Sequence, residues 1–360
     1  MKHPDKCTKI LGSINVKYSY NGKDIYPSVE ILHSVFQHLG GINCNEFFTD
    51  YVKCAEAWII GTEYLNDFYK GLIPIQKPSG APFSYGHLVC LGSPVIFPED
   101  GEPNVVPFAN SIDEGIEILK SRRGQDFADN ALFKYYWEMN EYFSEKFYEG
   151  KKSFGGFGVE GTVTSAILIR GQDFLCDIYD EPEKSKEFLF LLTESIIDYI
   201  KFLRRINGEP EIAKSGGIAD DFGSLISPDM WDEFVIPYWN QEYEGTTIKD
   251  GYRSMHIENL VPAHLKHLSK VKLNYYQPSV SDALTLENVK ANLDPDITID
   301  WLLYSYHIMF MTEKEIEDWI DKTVHAGIKG IRTQIDAGTC KFNKLDKIFD
   351  YFKGFEKYGV

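Results

Sequence analysis

From about residue 150 onward the chain keeps one rhythm: a short apolar stretch, a loop, then an amphipathic helix. The stretch "PEKSKEFLFLLTESIIDYIKFLRRING" puts Phe188, Leu192, Ile196, Tyr199 and Leu203 on one face at three- to four-residue spacing. Pro182 suits its first turn and Gly208 its end. "EIAKSGG", "YRSMHIE", "VKLNYYQ", "ITIDWLL" and "IKGIRTQID" read as strands with helices between them. "EKEIEDWIDKTVHAG" carries Ile316, Trp319, Ile320 and Val324 on one stripe, and "KLDKIFDYFKGFEKY" repeats the pattern. Strands alternating with helices imply a parallel sheet. About eight strands fit, which predicts an α/β chain folded as a single (β/α)8 TIM barrel. A doubly wound open sheet is the alternative, but no GxGxxG follows the first strand. Residues 1–70 read as irregular chain and then helices, so a helical N-terminal extension is expected there. The barrel then runs from about residue 71 to residue 360 in the same domain.

Charge narrows the partners. The formal net charge of -17 argues against nucleic acid and against an anionic membrane surface, because both need clustered Lys and Arg. No apolar run is long enough to suggest a span. The start "MKHPDKCTKI" has no apolar signal core. The six cysteines, Cys7, Cys44, Cys54, Cys90, Cys176 and Cys340, form no CxxC pair and no disulfide framework. A reduced, cytoplasmic protein is the expectation.

In a barrel, chemistry sits at the C-terminal ends of the strands. "GVEGT" offers Glu160 there, "GGIADDFG" offers Asp220 and Asp221, and "MHIEN" offers His256 and Glu258. "IRTQIDAGTC" offers Gln334, Asp336 and Cys340, and "ITIDW" offers Asp300. In a strand, positions i and i+2 face the same way, so His256 and Glu258 are set to share a pocket. With a distant cysteine, Cys340, they make a zinc set of nitrogen, oxygen and sulfur with one open position. The plain readings compete: a hydrogen-bonded core histidine, a small buried cysteine, and an Asp pair that makes a turn or caps a helix. His264 and His267, three apart in "VPAHLKHL", read as residues of a solvated helix face. "FGGFG" lacks a following Lys-Ser/Thr and is no phosphate loop; it reads as a place of close backbone approach.

Five pieces in this order resemble the uroporphyrinogen decarboxylase superfamily, and within it the methyltransferase-like branch. They are "EGTVTSAILIRGQDFLCDIYDEPEKSKEFLFLLTESI", "ADDFGSLISPDMWDEFVIPYW", "MHIENL", "ITIDW" and "GIRTQIDAGTC". The resemblance implies a TIM barrel. It also implies zinc, because corrinoid methyltransferases of this kind carry a His-x-Cys and a second, distant Cys. Those ligands fall on His256, Glu258 and Cys340, with glutamate at Glu258 where the pattern has cysteine. The implied activity is that of a zinc-dependent methyltransferase that moves a methyl group from a small O-methyl ether or alcohol to a corrinoid protein. Asp220 and Asp221 are the expected catalytic residues, orienting substrate or managing its proton. Glu160, Asp300 and Gln334 are the expected substrate contacts. Carboxylate in place of thiolate makes a harder Lewis acid, which suits an oxygen substrate. A methylcobalamin-dependent thiol methyltransferase is the alternative, followed by a decarboxylase or a barrel that only binds. The decarboxylase of the family uses an arginine-rich N-terminal motif, whereas the first arginine here is Arg122.

Overall fold

A computed structural model describes residues 17–279 and 281–360. Cys7 and the first part of the expected N-terminal extension lie outside the described residues. The described strands are β1 (Tyr18–Tyr20), β2 (Lys23–Ile31), β3 (Val95–Ile96), β4 (Asn104–Val105), β5 (Ala213–Ala219), β6 (Thr247–His256), β7 (Tyr275–Gln277), β8 (Thr298–Leu303) and β9 (Gly330–Ile335). They divide between two compact units. One lies within Met1–Ala81, Pro278–Val280 and Thr298–Val360, and the other within Pro82–Gln277 and Ser281–Ile297.

In the first unit β1 pairs antiparallel with β2, and β2 and β8 both pair parallel with β9. The earliest long strand thus lies beside the last, the pairing that a closed barrel requires at its seam. The helices expected before residue 70 are present, His33–Gly40, Cys44–Thr49 and Tyr51–Tyr69, but β1 and β2 stand ahead of them where irregular chain was expected. Pro27 hid β2, because proline lacks the N–H a ladder needs and demotes a strand reading. It is tolerated because β1 covers only Lys23, Asp24 and Ile25, which leaves Pro27 beyond the antiparallel ladder. The helix Glu313–His325 forms as its spacing dictates. Thr312 and Glu315 make a capping box, and Ile316, Ile320 and Val324 are buried. Gly327 follows at φ 87, a left-handed turn that glycine adopts without strain.

In the second unit β5, β6 and β7 run parallel in that spatial order. The helix Pro182–Ile206 starts on its proline and buries Phe188, Leu192, Ile196, Tyr199 and Phe202. β7 is shorter than "VKLNYYQ" suggests. A 3-10 turn, Ser269–Val271, and a left-handed Lys272 (φ 56) take up the first part of that stretch. His264 and His267 are buried, not solvated. The His264 ring lies 4.6 Å from that of Trp231 and hydrogen-bonds the Ile226 carbonyl at 3.1 Å. Burial of Trp231 turned that helix face inward, which local polarity could not reveal. "FGGFG" is a close-approach loop, with Gly158 donating to the Phe83 carbonyl at 2.7 Å. Among the described residues no helix is long and apolar enough to cross a membrane. Cys54, Cys90, Cys176 and Cys340 are free thiols.

One buried group in this unit makes stability depend on acid. His87 is enclosed between Phe127 and Tyr199, with Nε2 2.9 Å from the Ser195 hydroxyl. Burial pushes its imidazole down to about 3. An unfolded histidine protonates near 6.5. Between those values the unfolded chain binds the extra proton, so stability is full above 6.5 and falls as pH drops. The expected loss from His87 between pH 6.5 and 5 is about 2 kcal/mol. Thermal melts of the native chain and His87→Gln at the two pH values check this. An equal loss in both would assign the acid sensitivity to other groups.

Candidate metal centre

Three neighbouring parallel strands of the second unit end at one place, and each delivers a polar side chain at or just beyond its last pair. Ala219 pairs with His256, and His256 with Gln277. Asp220 and Asp221 follow β5, His256 closes β6 with Glu258 two residues on, and Gln277 closes β7. His256 and Glu258 face the same way, as the two-residue spacing requires. Asn259 then takes φ 57, a left-handed conformation that asparagine tolerates better than most residues, and the chain turns away.

His256 Nε2 lies 3.3 Å from Asp221 Oδ1 and 3.7 Å from Glu258 Oε1. One ligand atom from each of these three residues lies within 4.8 Å of the others. The opposite ring nitrogen, Nδ1, is hydrogen-bonded to Gln277 Oε1. A carbonyl oxygen only accepts, so Nδ1 carries a hydrogen and Nε2 is the ring atom turned toward the carboxylates. The Glu258 amide donates to Asp221 Oδ1 at 3.2 Å, and the Tyr276 hydroxyl donates to the Ile257 carbonyl at 3.2 Å. These bonds fix the His-Ile-Glu segment. Burial lifts the Asp221 carboxyl to about 6; the His256 imidazole opposes the rise, and Glu258 and Asp220 add to it. Two carboxylates crowded on one imidazole nitrogen form a pocket suited to a cation.

Asp220 does a different job. It is fully buried, and its carboxylate accepts from the Thr164 amide at 2.6 Å, the Val163 amide at 3.1 Å and Trp239 Nε1 at 2.6 Å. Thr164 and Val163 open the helix Thr162–Arg170, whose N-cap is Gly161 and has no side chain to cap with. Asp220 caps it from another element, satisfying orphan N–H groups and answering the helix dipole. Gly161 allows that approach. A Cβ there would lie 2.5 Å from Asp220 Cβ and 2.6 Å from its Cγ. Gly161→Ala is therefore expected to cost about 2–3 kcal/mol and to displace Asp220 together with Asp221. Chemical denaturation checks the first effect and metal content the second.

Glu160, just ahead of this helix, is half-buried, and its carboxyl is pushed up to about 8. Burial is the main cause, Asp221 and then Asp220 add to it, and the Ser84 hydroxyl opposes it. It is mostly protonated at neutral pH, able to donate a hydrogen bond.

The other expected residues belong to the first unit. Cys340 sits in the helix Ala337–Lys341, half-buried, with its thiol pushed up to about 12 by burial and then by Asp336. Asp336 caps that helix through the Thr339 amide at 2.8 Å and accepts from Ser305 at 2.7 Å. Asp300 and Gln334 project from β8 and β9 into a cluster with Glu30 and Arg332. Sequence reasoning missed Gln277, although its place at the end of a predicted strand was a usable signal. It gave Asp221 a catalytic role; the geometry also brings Asp221 beside His256 and Glu258.

The family model described as Uroporphyrinogen decarboxylase (URO-D) matches residues 86–331, more than half of the chain. No curated protein sequence matches. Among solved structures, one described as "methyltransferase from Methanosarcina mazei" aligns over 98% of this chain and 98% of its own, with TM-score 0.65 and 14% identity. At that identity the likeness carries the fold alone. The chain therefore belongs to the uroporphyrinogen decarboxylase family and has its α/β TIM-barrel fold.

Proposed function

We propose that the protein is a zinc-dependent methyltransferase that takes the methyl group from a small O-methyl ether or alcohol and passes it to a corrinoid held by a partner protein. The observation that carries the reading is the convergence of Asp221, His256 and Glu258, with His256 locked by Gln277. One nitrogen and two carboxylate oxygens suit zinc, and three protein ligands leave one position open, as catalytic zinc requires. Zinc held there supplies a Lewis acid for the substrate oxygen. The carboxylate ligands make a hard site, which favours oxygen over sulfur substrates. A solved structure of the same fold is described as a methyltransferase, the reaction class proposed here.

The protein's own groups have separable tasks. Asp221, His256 and Glu258 hold the metal, and Gln277 fixes the ring that presents Nε2. Asp220 positions the helix Thr162–Arg170 and, through the chain, Asp221. Glu160, half-buried just ahead of that helix, is placed for substrate binding. The partner's corrinoid would supply, as Co(I), the electron pair that takes the methyl group; the methyl–oxygen bond would break and the released oxygen would take a proton from solvent. The decarboxylase reading is disfavoured because a substrate with many carboxylates needs cationic partners, and no arginine precedes Arg122.

The test mixes zinc-loaded protein, methanol or a methyl ether, and Co(I) corrinoid under reducing conditions. Loss of the Co(I) absorbance with formation of methylated corrinoid is expected. Activity confined to thiol methylation would select the alternative direction, and uroporphyrinogen turnover without metal would overturn the proposal.

A further inference from the structure

The second unit carries a cleft of about 440 Å3, within the usual range of small-ligand sites, ~300–1,000 Å3. One wall is a face of the helix Pro182–Ile206, where Leu191, Glu194, Asp198, Phe202 and Arg205 recur at three- to four-residue spacing. The other wall is the segment that leaves the helix Ile112–Ser121. Arg122 and Arg123 follow that helix, and Gly124 turns the chain at φ 74. Asp126 then caps the 3-10 turn Phe127–Asp129 through the Ala128 amide at 3.0 Å. Leu119, Phe127, Leu191 and Phe202 are the apolar part of the lining, with the Phe127 and Phe202 rings 5.4 Å apart.

Most of the charged residues around this cleft are already paired. Arg123 meets Glu194 at 2.5 Å, Arg205 meets Glu211 at 2.9 Å, and Asp126 serves its own turn. Arg122 and Asp198, one on each wall, are different. Both are exposed to solvent, and neither side chain makes an ion pair or hydrogen bond with another described residue. The chain holds 54 Asp and Glu against 37 Lys and Arg, so an arginine with no acid beside it is against the odds. The cleft thus offers one open cation, one open anion and an apolar lining between two helical segments.

We propose that this cleft binds a free α-amino acid with a large apolar side chain. The ligand's carboxylate pairs with Arg122, its ammonium pairs with Asp198, and its side chain covers the apolar lining. Guanidinium and carboxylate match in shape as well as charge. A plain anion would bring a like charge to Asp198, and a plain cation would bring one to Arg122. A neutral apolar molecule would leave both charges without partners. Glycine would satisfy the charges and leave Leu119, Phe127, Leu191 and Phe202 uncovered, forgoing the apolar burial that supplies much of a small ligand's affinity. None of these residues belongs to the metal centre, and the proposal does not rest on methyl transfer.

The probes are L-phenylalanine, 2-phenylethylamine, which lacks the carboxylate, and 3-phenylpropanoate, which lacks the ammonium. Calorimetric titrations of the full chain are expected to show the amino acid bound about tenfold more tightly than either analogue, and glycine bound far more weakly. In Arg122→Gln the amino acid should bind no better than the amine does to the native chain. In Asp198→Asn it should bind no better than 3-phenylpropanoate does. Both positions are exposed, so both variants should keep the native circular dichroism spectrum and melting temperature. Failure of L-phenylalanine to bind the native chain would overturn the proposal. So would equal binding of the three probes, binding of glycine as tight as that of L-phenylalanine, or a preference for the amino acid that survives either substitution.

Discussion

His256→Ala is expected to strip the protein of zinc, with one zinc per chain in the native protein and almost none in the variant by elemental analysis. The imidazole is the only nitrogen donor of the group, and without it two carboxylates face each other with no neutral ligand between them. Glu258→Gln and Asp221→Asn should each weaken zinc markedly, because an amide keeps the shape but loses the charge that holds a dication. Gln277→Ala leaves all three donors in place yet frees the ring. Loss of such an outer partner typically weakens metal binding by about 10–100-fold, so this variant should hold zinc at millimolar metal and lose it on dialysis. Cys340→Ala separates two ligand sets. The geometry of the second unit supplies its third donor from Asp221, whereas the family resemblance supplies one from Cys340. Full zinc in Cys340→Ala with depleted zinc in Asp221→Asn is the expected pair of results. The reverse pair would move the third ligand to Cys340.

Methyl transfer should fall with the metal. The native protein, loaded with zinc, is expected to consume Co(I) corrinoid in the presence of an O-methyl donor, and His256→Ala to do so about a thousandfold more slowly. Lewis-acid activation of a leaving oxygen is worth several kcal/mol, and an alkoxide leaves poorly without it. Gln277→Ala offers a control for simple misfolding. Excess zinc should restore much of its rate, since its ligands are intact, but should leave His256→Ala inactive. Recovery of His256→Ala by zinc alone would remove His256 from the centre. Equal rates in the native protein and His256→Ala would remove the metal from the reaction.

The repeated strand and helix pattern after residue 150 was legible because it depends on local periodicity, and the family match over residues 86–331 agrees with it. His256 and Glu258 were legible for the same reason: two residues apart at a strand end, their orientation follows from the backbone alone. Local pattern also determined the helix Pro182–Ile206 and the capped helix Glu313–His325, whose ends carry their own signals. Other features needed the tertiary structure. β2 became a strand because β9 pairs with it for six residues, a contact some three hundred positions away that outweighs the proline within it. The neighbouring acids Asp220 and Asp221 look alike in sequence, yet one is buried under three N–H donors and the other turns to His256. Which of the two goes inward depends on where Trp239 and the helix Thr162–Arg170 lie, and no short stretch of sequence encodes that. Gln277 reaches His256 only because β7 settles beside β6 in one register. Residue types and local periods are properties of the chain itself; strand neighbours, burial and the unmet bonds of a polar network exist only after the chain has closed on itself.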